Sequence, residues 1–98
     1  MKGILTGEAR ESFLNWLKCD FKFNDDFDKL LPIFQIALLT EWFDSLNQNI
    51  SIVTEKVSTG IDWDCHVNDE WVGASFKNRK ECALHGLYFL IQKYNNKL

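Results

Sequence analysis

Between Ile61 and Asn68 the chain alternates without a break. Ile61, Trp63, Cys65 and Val67 are apolar, and Asp62, Asp64, His66 and Asn68 between them are polar. Successive side chains of a β-strand point to opposite faces, so this period of two predicts a strand with one wet face and one dry face. Such a strand needs neighbours in a sheet and a cover over its dry side. Upstream, Ile50, Ile52, Val53, Thr54 and Val57 are β-branched, and Ser58-Thr59-Gly60 is a turn signal. Downstream, Asn68-Asp69 has hairpin-turn chemistry, and Trp71 to Phe76 forms the returning strand. The expectation is a three-stranded antiparallel meander.

The cover has to come from helices. Ala9, Phe13, Leu14, Trp16 and Leu17 fall on one helical arc, which predicts a helix from about Gly7 to Cys19 with Thr6 as its N-cap. The stretch from Asp20 to Asp26 breaks the period and is expected to be a loop with Phe21 and Phe23 tucked inward. Asp25 or Asp26 can cap a second helical segment, and Pro32 starts or kinks a helix there. From Ile33 to Leu46 the apolar positions are broader than one stripe, which suits a central core helix or half of an oligomer or partner interface, the latter allowing a structural homodimer as an alternative role. Asn78 and Glu81 have capping-box spacing before a last helix that carries Ala83, Leu84, Leu87, Leu90, Ile91 and Tyr94. The predicted order is α-α-β-β-β-α, an α+β fold in one domain over residues 1–98, with the helices on one face of the sheet.

Charge is unevenly distributed. The net value is −3, yet residues 20–70 hold eleven acids against three lysines, and residues 71–98 hold five basic residues against one acid. An acidic middle repels nucleic acid and attracts a basic partner surface. The N-terminal residues lack the apolar core of a signal peptide, and no apolar run approaches the roughly 20 residues needed to span a bilayer. Cys19, Cys65 and Cys82 are an odd, scattered set without CxxC spacing. They argue against a disulfide framework or a zinc knuckle, and predict a reduced, cytoplasmic protein whose cysteines serve as packing residues.

Candidate chemistry is sparse. Asp62, Asp64 and His66 share one strand face and could touch a divalent cation, but no further ligands are marked, so a solvated face without metal is expected. Cys65 and His66 point to opposite faces and cannot share a proton. His85 has Glu81 four residues before it, a surface pair. No GxSxG, HExxH, P-loop or GxGxxG pattern occurs, so neither an enzyme nor a cofactor is expected. A binding role places charge on Asp62, Asp64, Asp69 and Glu70 and an aromatic anchor at Trp71, because alternation sends Trp63 to the opposite face. The alternative is RNA. Lys77, Arg79 and Lys80 open the last helix after a meander, which resembles the end of a double-stranded-RNA-binding domain, where a helix N-terminus and basic side chains grip phosphates.

A second resemblance covers most of the chain in outline. Leu5-Thr6-Gly7-Glu8-Ala9-Arg10, with Phe13 and Trp16-Leu17, resembles the opening of small accessory proteins carried by phages and prophages of Bacteroidetes-type bacteria. Phe27, Leu31-Pro32, Gln35 and the run Glu41-Trp42-Phe43-Asp44-Ser45 are similar to their middle, and Arg79 to Tyr94-Asn95 to their last helix. The resemblance implies a non-catalytic inhibitor of host defence, of the anti-CRISPR kind, that binds a protein or ribonucleoprotein effector in a bacterial host's cytoplasm. The guide and target channel of such an effector is strongly positive, which suits an acidic binder.

Overall fold

A computed structural model of the chain describes residues 4–96. Its elements are α1 (Gly7–Cys19), a short 3-10 turn (Phe27–Lys29), α2 (Pro32–Ser45), β1 (Ile50–Val57), β2 (Gly60–Val67), β3 (Glu70–Phe76) and α3 (Arg79–Asn95). The strands form one antiparallel sheet in the order β1-β2-β3. This is the α-α-β-β-β-α meander that the periodicities predict.

The β2–β3 hairpin turns on Asn68 (φ 51°) and Asp69 (φ 69°), both left-handed as a two-residue type I′ turn requires. Asn68 also ties this turn to the start of β1. Its Oδ1 accepts from the Asn49 amide at 2.9 Å, and its Nδ2 donates to Gln48 Oε1 at 2.7 Å. Register therefore has an anchor beyond the hydrophobic pattern.

Helix α3 is the central element. It packs on all three strands and also on α1 and α2. One stripe of it, Cys82, Ala83, Gly86, Leu87, Leu90 and Ile91, is buried. Gly86 permits the close approach to the sheet, since a Cβ there would meet Cys65 Sγ at 2.8 Å and Ile50 Cγ2 at 2.9 Å. At the other end of α3 the helices enclose an aromatic core. The Phe13 ring lies edge-on to Phe27 at 4.9 Å and to Trp42 at 5.6 Å, and Tyr94 reaches Trp42 at 5.2 Å.

Several local expectations need correction. Thr6 occupies the N-cap position of α1, but its side chain makes no cap bond. Asn95, at the far end of the sequence, takes that role: its Oδ1 accepts from the Ala9 amide at 2.8 Å and its Nδ2 donates to the Thr6 carbonyl at 2.9 Å. Gly7 sits at φ 63°, and a Cβ there would come within 3.1 Å of the Asn95 side chain, so only glycine suits the position. Of the two loop phenylalanines, Phe23 packs against the core, whereas Phe21 is 46% exposed and lies beside Trp16 at the surface. Cys65 and Cys82 are core residues as expected, but Cys19 is exposed, because the last residue of α1 lies beyond the cover of its neighbours.

The broad apolar helix also divides. Leu39, Trp42 and Phe43 are buried, while Ile33 and Phe34 near its start are 69% and 56% exposed. Gln35, also buried, donates to the Phe27 carbonyl at 3.0 Å and so fastens α2 to the 3-10 turn. Pro32 stands in the first turn of α2, where its missing amide costs no hydrogen bond. Asp26 caps the 3-10 turn by accepting from the Asp28 amide at 3.0 Å. No helix among the described residues is long and apolar enough to cross a membrane.

Candidate functional site: the outer face of the sheet

All three helices lie on one side of the sheet, so the strand register settles which side chains remain uncovered. Ile50 and Ile52 of β1 stand opposite Val67 and Cys65 of β2, and these four face α3. The alternate set faces outward: Ser51 opposite His66, Val53 opposite Asp64, and Glu55 opposite Asp62. On the other side of β2, His66 pairs with Trp71 of β3. The outer face thus carries a row of three carboxylates beside Val53, His66 and Trp71. Trp71 is 63% exposed, which is unusual for the largest apolar side chain.

Two irregularities in β3 shape this face. Between the pairs Cys65–Gly73 and Trp63–Phe76, β2 has one residue and β3 has two, a β-bulge at Ala74-Ser75. Ser75 adopts φ 61° there and turns toward β2. Its amide donates to Asp64 Oδ1 at 3.3 Å and its hydroxyl to Asp62 Oδ2 at 3.5 Å. These long bonds leave most of each carboxylate's acceptor capacity facing outward. A second irregularity falls at Val72, between the Gly73 and Trp71 pairs.

Glu55 is the residue that strand-by-strand reading of the sequence misses. Paired with Asp62, it forms a like-charge cross-strand pair, an arrangement that opposes folding. The signal was present: a two-residue turn between Val57 and Gly60 places Glu55 opposite Asp62 by counting back along each strand. Asp69 and Glu70 are exposed in the neighbouring turn, but Glu70 pairs with Val67 and so belongs to the helix-facing parity of the sheet. The predicted site residues Asp62, Asp64 and Trp71 therefore share one face, with Asp69 at its end and Glu70 off it.

The basic cluster lies elsewhere, where β3 runs into α3. The Arg79 guanidinium stacks over the Trp63 ring at 5.3 Å, so Trp63 is half-buried on the helix side rather than fully enclosed. Ile61, expected on the dry face, is 56% exposed, since β2 begins beyond the reach of α3. Asn78 Oδ1 accepts from the Glu81 amide at 2.9 Å, as a capping box predicts. The reciprocal bond differs: Glu81 Oε2 accepts from the Lys77 amide at 3.2 Å. That carboxylate stands at the helix N-terminus, the position that an RNA-binding reading gives to a phosphate, alongside Lys77, Arg79 and Lys80.

His85 is not the surface partner of Glu81. It is half-buried, its Nε2 lies 3.0 Å from the Val72 carbonyl and its ring packs on Phe76 at 5.0 Å. A carbonyl oxygen only accepts, so Nε2 carries the proton. The buried thiols are equally unsuited to nucleophilic work. Burial pushes Cys65 up and pushes Cys82 up to about 12, the second aided by the neighbouring Cys65. Among the described residues no group of three His, Cys, Asp or Glu side chains is arranged to hold a metal ion.

No protein-family model matches the chain, and neither a curated protein nor a solved structure matches it.

Proposed function

We propose that this chain is a non-catalytic binding domain that presents the outer face of its sheet to a basic surface of a partner protein. The observation that carries the reading is the row Glu55, Asp62 and Asp64 beside the exposed Trp71. A like-charge pair across β1 and β2 is unfavourable in the free protein and is relieved when a cationic surface lies over it. An exposed tryptophan adjoining such charges has the character of an interface anchor ringed by polar residues. The resemblance to phage and prophage accessory proteins extends the reading to an anti-defence inhibitor of the anti-CRISPR kind. Its target would be a nucleic-acid-guided effector, whose positive channel such a face complements.

The test is affinity capture with the tagged chain from lysates that contain candidate defence systems, with and without nuclease. The wild type is run beside a variant combining Asp62→Lys, Asp64→Lys and Trp71→Ala. The expected result is a stoichiometric protein partner that survives nuclease and is lost with the variant. Recovery of RNA that depends on Lys77, Arg79 and Lys80 and vanishes on nuclease treatment would overturn the proposal in favour of RNA binding.

A further inference from the structure

Among the described residues β1 pairs only with β2, so its other edge has no strand partner. Among the described residues no backbone hydrogen bond joins that strand to α2. Yet α2 does not leave the edge bare. A groove of about 530 Å³ runs between α2, β1 and the start of α3. Ile33 and Ile36 line it from α2, and Ile50 and Ile52 from the helix-facing side of β1. Both charged side chains that line it, Arg79 and Lys80, are cations, in a chain of net charge −3.

We infer that this groove accepts an extended peptide segment of another protein, added to the free edge of β1, with alternate apolar side chains and a carboxylate. Three features of the groove select that chemistry. The edge supplies main-chain hydrogen bonds that only an extended backbone can complete. The isoleucine floor receives every second side chain, since successive residues of the added strand alternate between the two faces of the sheet. Arg79 and Lys80 supply the charge to hold an acidic side chain or a C-terminal carboxylate at the groove's end. The α2 stretch from Ile33 to Thr40 is about 10 Å long, room for roughly three extended residues. A second copy of this chain is a poorer occupant. Its own segment of alternating apolar and acidic residues, Ile61 to Asp64, is already committed to β2.

This site is separate from the outer face of the sheet, so each can fail without the other. The probe is a degenerate pool of heptapeptides with Ile, Val or Leu at the second, fourth and sixth positions and a C-terminal Glu. It is titrated into the isotopically labelled full chain, and backbone amide resonances are followed. Binding should move amides of β1 and of the first turns of α2. Ile33→Glu and Lys80→Glu should each weaken binding by about tenfold with unchanged melting temperature, because both side chains are exposed. Trp71→Ala should leave peptide binding intact. A pool methylated on alternate backbone nitrogens should not bind. The inference is overturned if β1 amides do not move at millimolar peptide, or if the methylated pool binds equally well, the mark of a merely greasy cleft. It is also overturned if β1 amides become protected without peptide as the protein dimerises in sedimentation, which would make a second copy the occupant.

Discussion

The two ends of α3 serve different purposes. At its C-terminal end the helices close around Phe13, Phe27, Trp42 and Tyr94, and the chain's first and last helices are tied through Asn95. At its N-terminal end α3 covers only one face of a three-stranded sheet, and the other face keeps Trp71 and Val53 exposed beside a row of carboxylates, the exposed Glu55 and the half-buried Asp62 and Asp64. At the first end aromatic rings pack on one another out of water. The sheet, by contrast, carries an unfavourable charge pair and an uncovered tryptophan. A domain this small holds such a face open only because the other end supplies enough burial to offset it.

Phe13→Ala is the strongest attack on that division. It removes a fully buried ring from the centre of the aromatic cluster and should cost about 3–5 kcal/mol in urea denaturation. Gly86→Ala probes the joint between the two ends. The new methyl meets Cys65 and Ile50 below van der Waals distance, so a loss on the order of 1–2 kcal/mol should remain after the gain in helix propensity. Asn95→Ala should cost about 1 kcal/mol and speed amide exchange at Ala9, with the sheet amides unchanged. If the sheet amides also loosen, the two ends are one cooperative unit and the comparison fails.

The thiols give a titration. Folding raises the pKa of Cys65 and of Cys82, so the native state binds more protons than the unfolded chain above the ordinary thiol pKa. The corresponding stability is intact below that range and drains away as pH rises towards about 12. In the native protein a water-soluble aromatic disulfide should modify Cys19 alone, and all three thiols once the chain is unfolded. The smallest effect has the opposite sign. Glu55→Lys turns a repulsive cross-strand pair into an attractive one and should raise stability by about 0.2–1 kcal/mol. It should also weaken capture of a basic partner. A gain in stability without any loss of binding would remove Glu55 from the interface.

The Arg10–Asp28 pair adds little to either end. The guanidinium, bonded to both carboxylate oxygens at 3.2 and 2.6 Å, holds Asp28 below the usual carboxylate range. Both side chains are exposed, so solvent and salt screen the attraction.

Local chemistry is enough to settle the order of elements. The alternation from Ile61 to Val67, the Asn68-Asp69 turn, Pro32 and the Asn78 cap each act within a few residues, so their outcome is written in the sequence. The same parity placed Asp62 and Asp64 on one face, and the strand register added Trp71 to it by pairing it with His66. What lay beyond local reasoning depended on partners distant in the chain. Asn95 caps a helix 86 positions away, His85 turns from Glu81 to the Val72 carbonyl, and the serine at the β3 bulge reaches two carboxylates of β2. Nor does periodicity say which half of a broadly apolar helix is covered. Trp42 and Phe43 are buried, while Ile33 and Phe34 are not, because α2 packs on α3 but stands off from the edge of β1. The period of a segment determines which of its faces is dry, since that is a property of the segment; the depth of burial is decided only by the neighbours that tertiary packing brings to it.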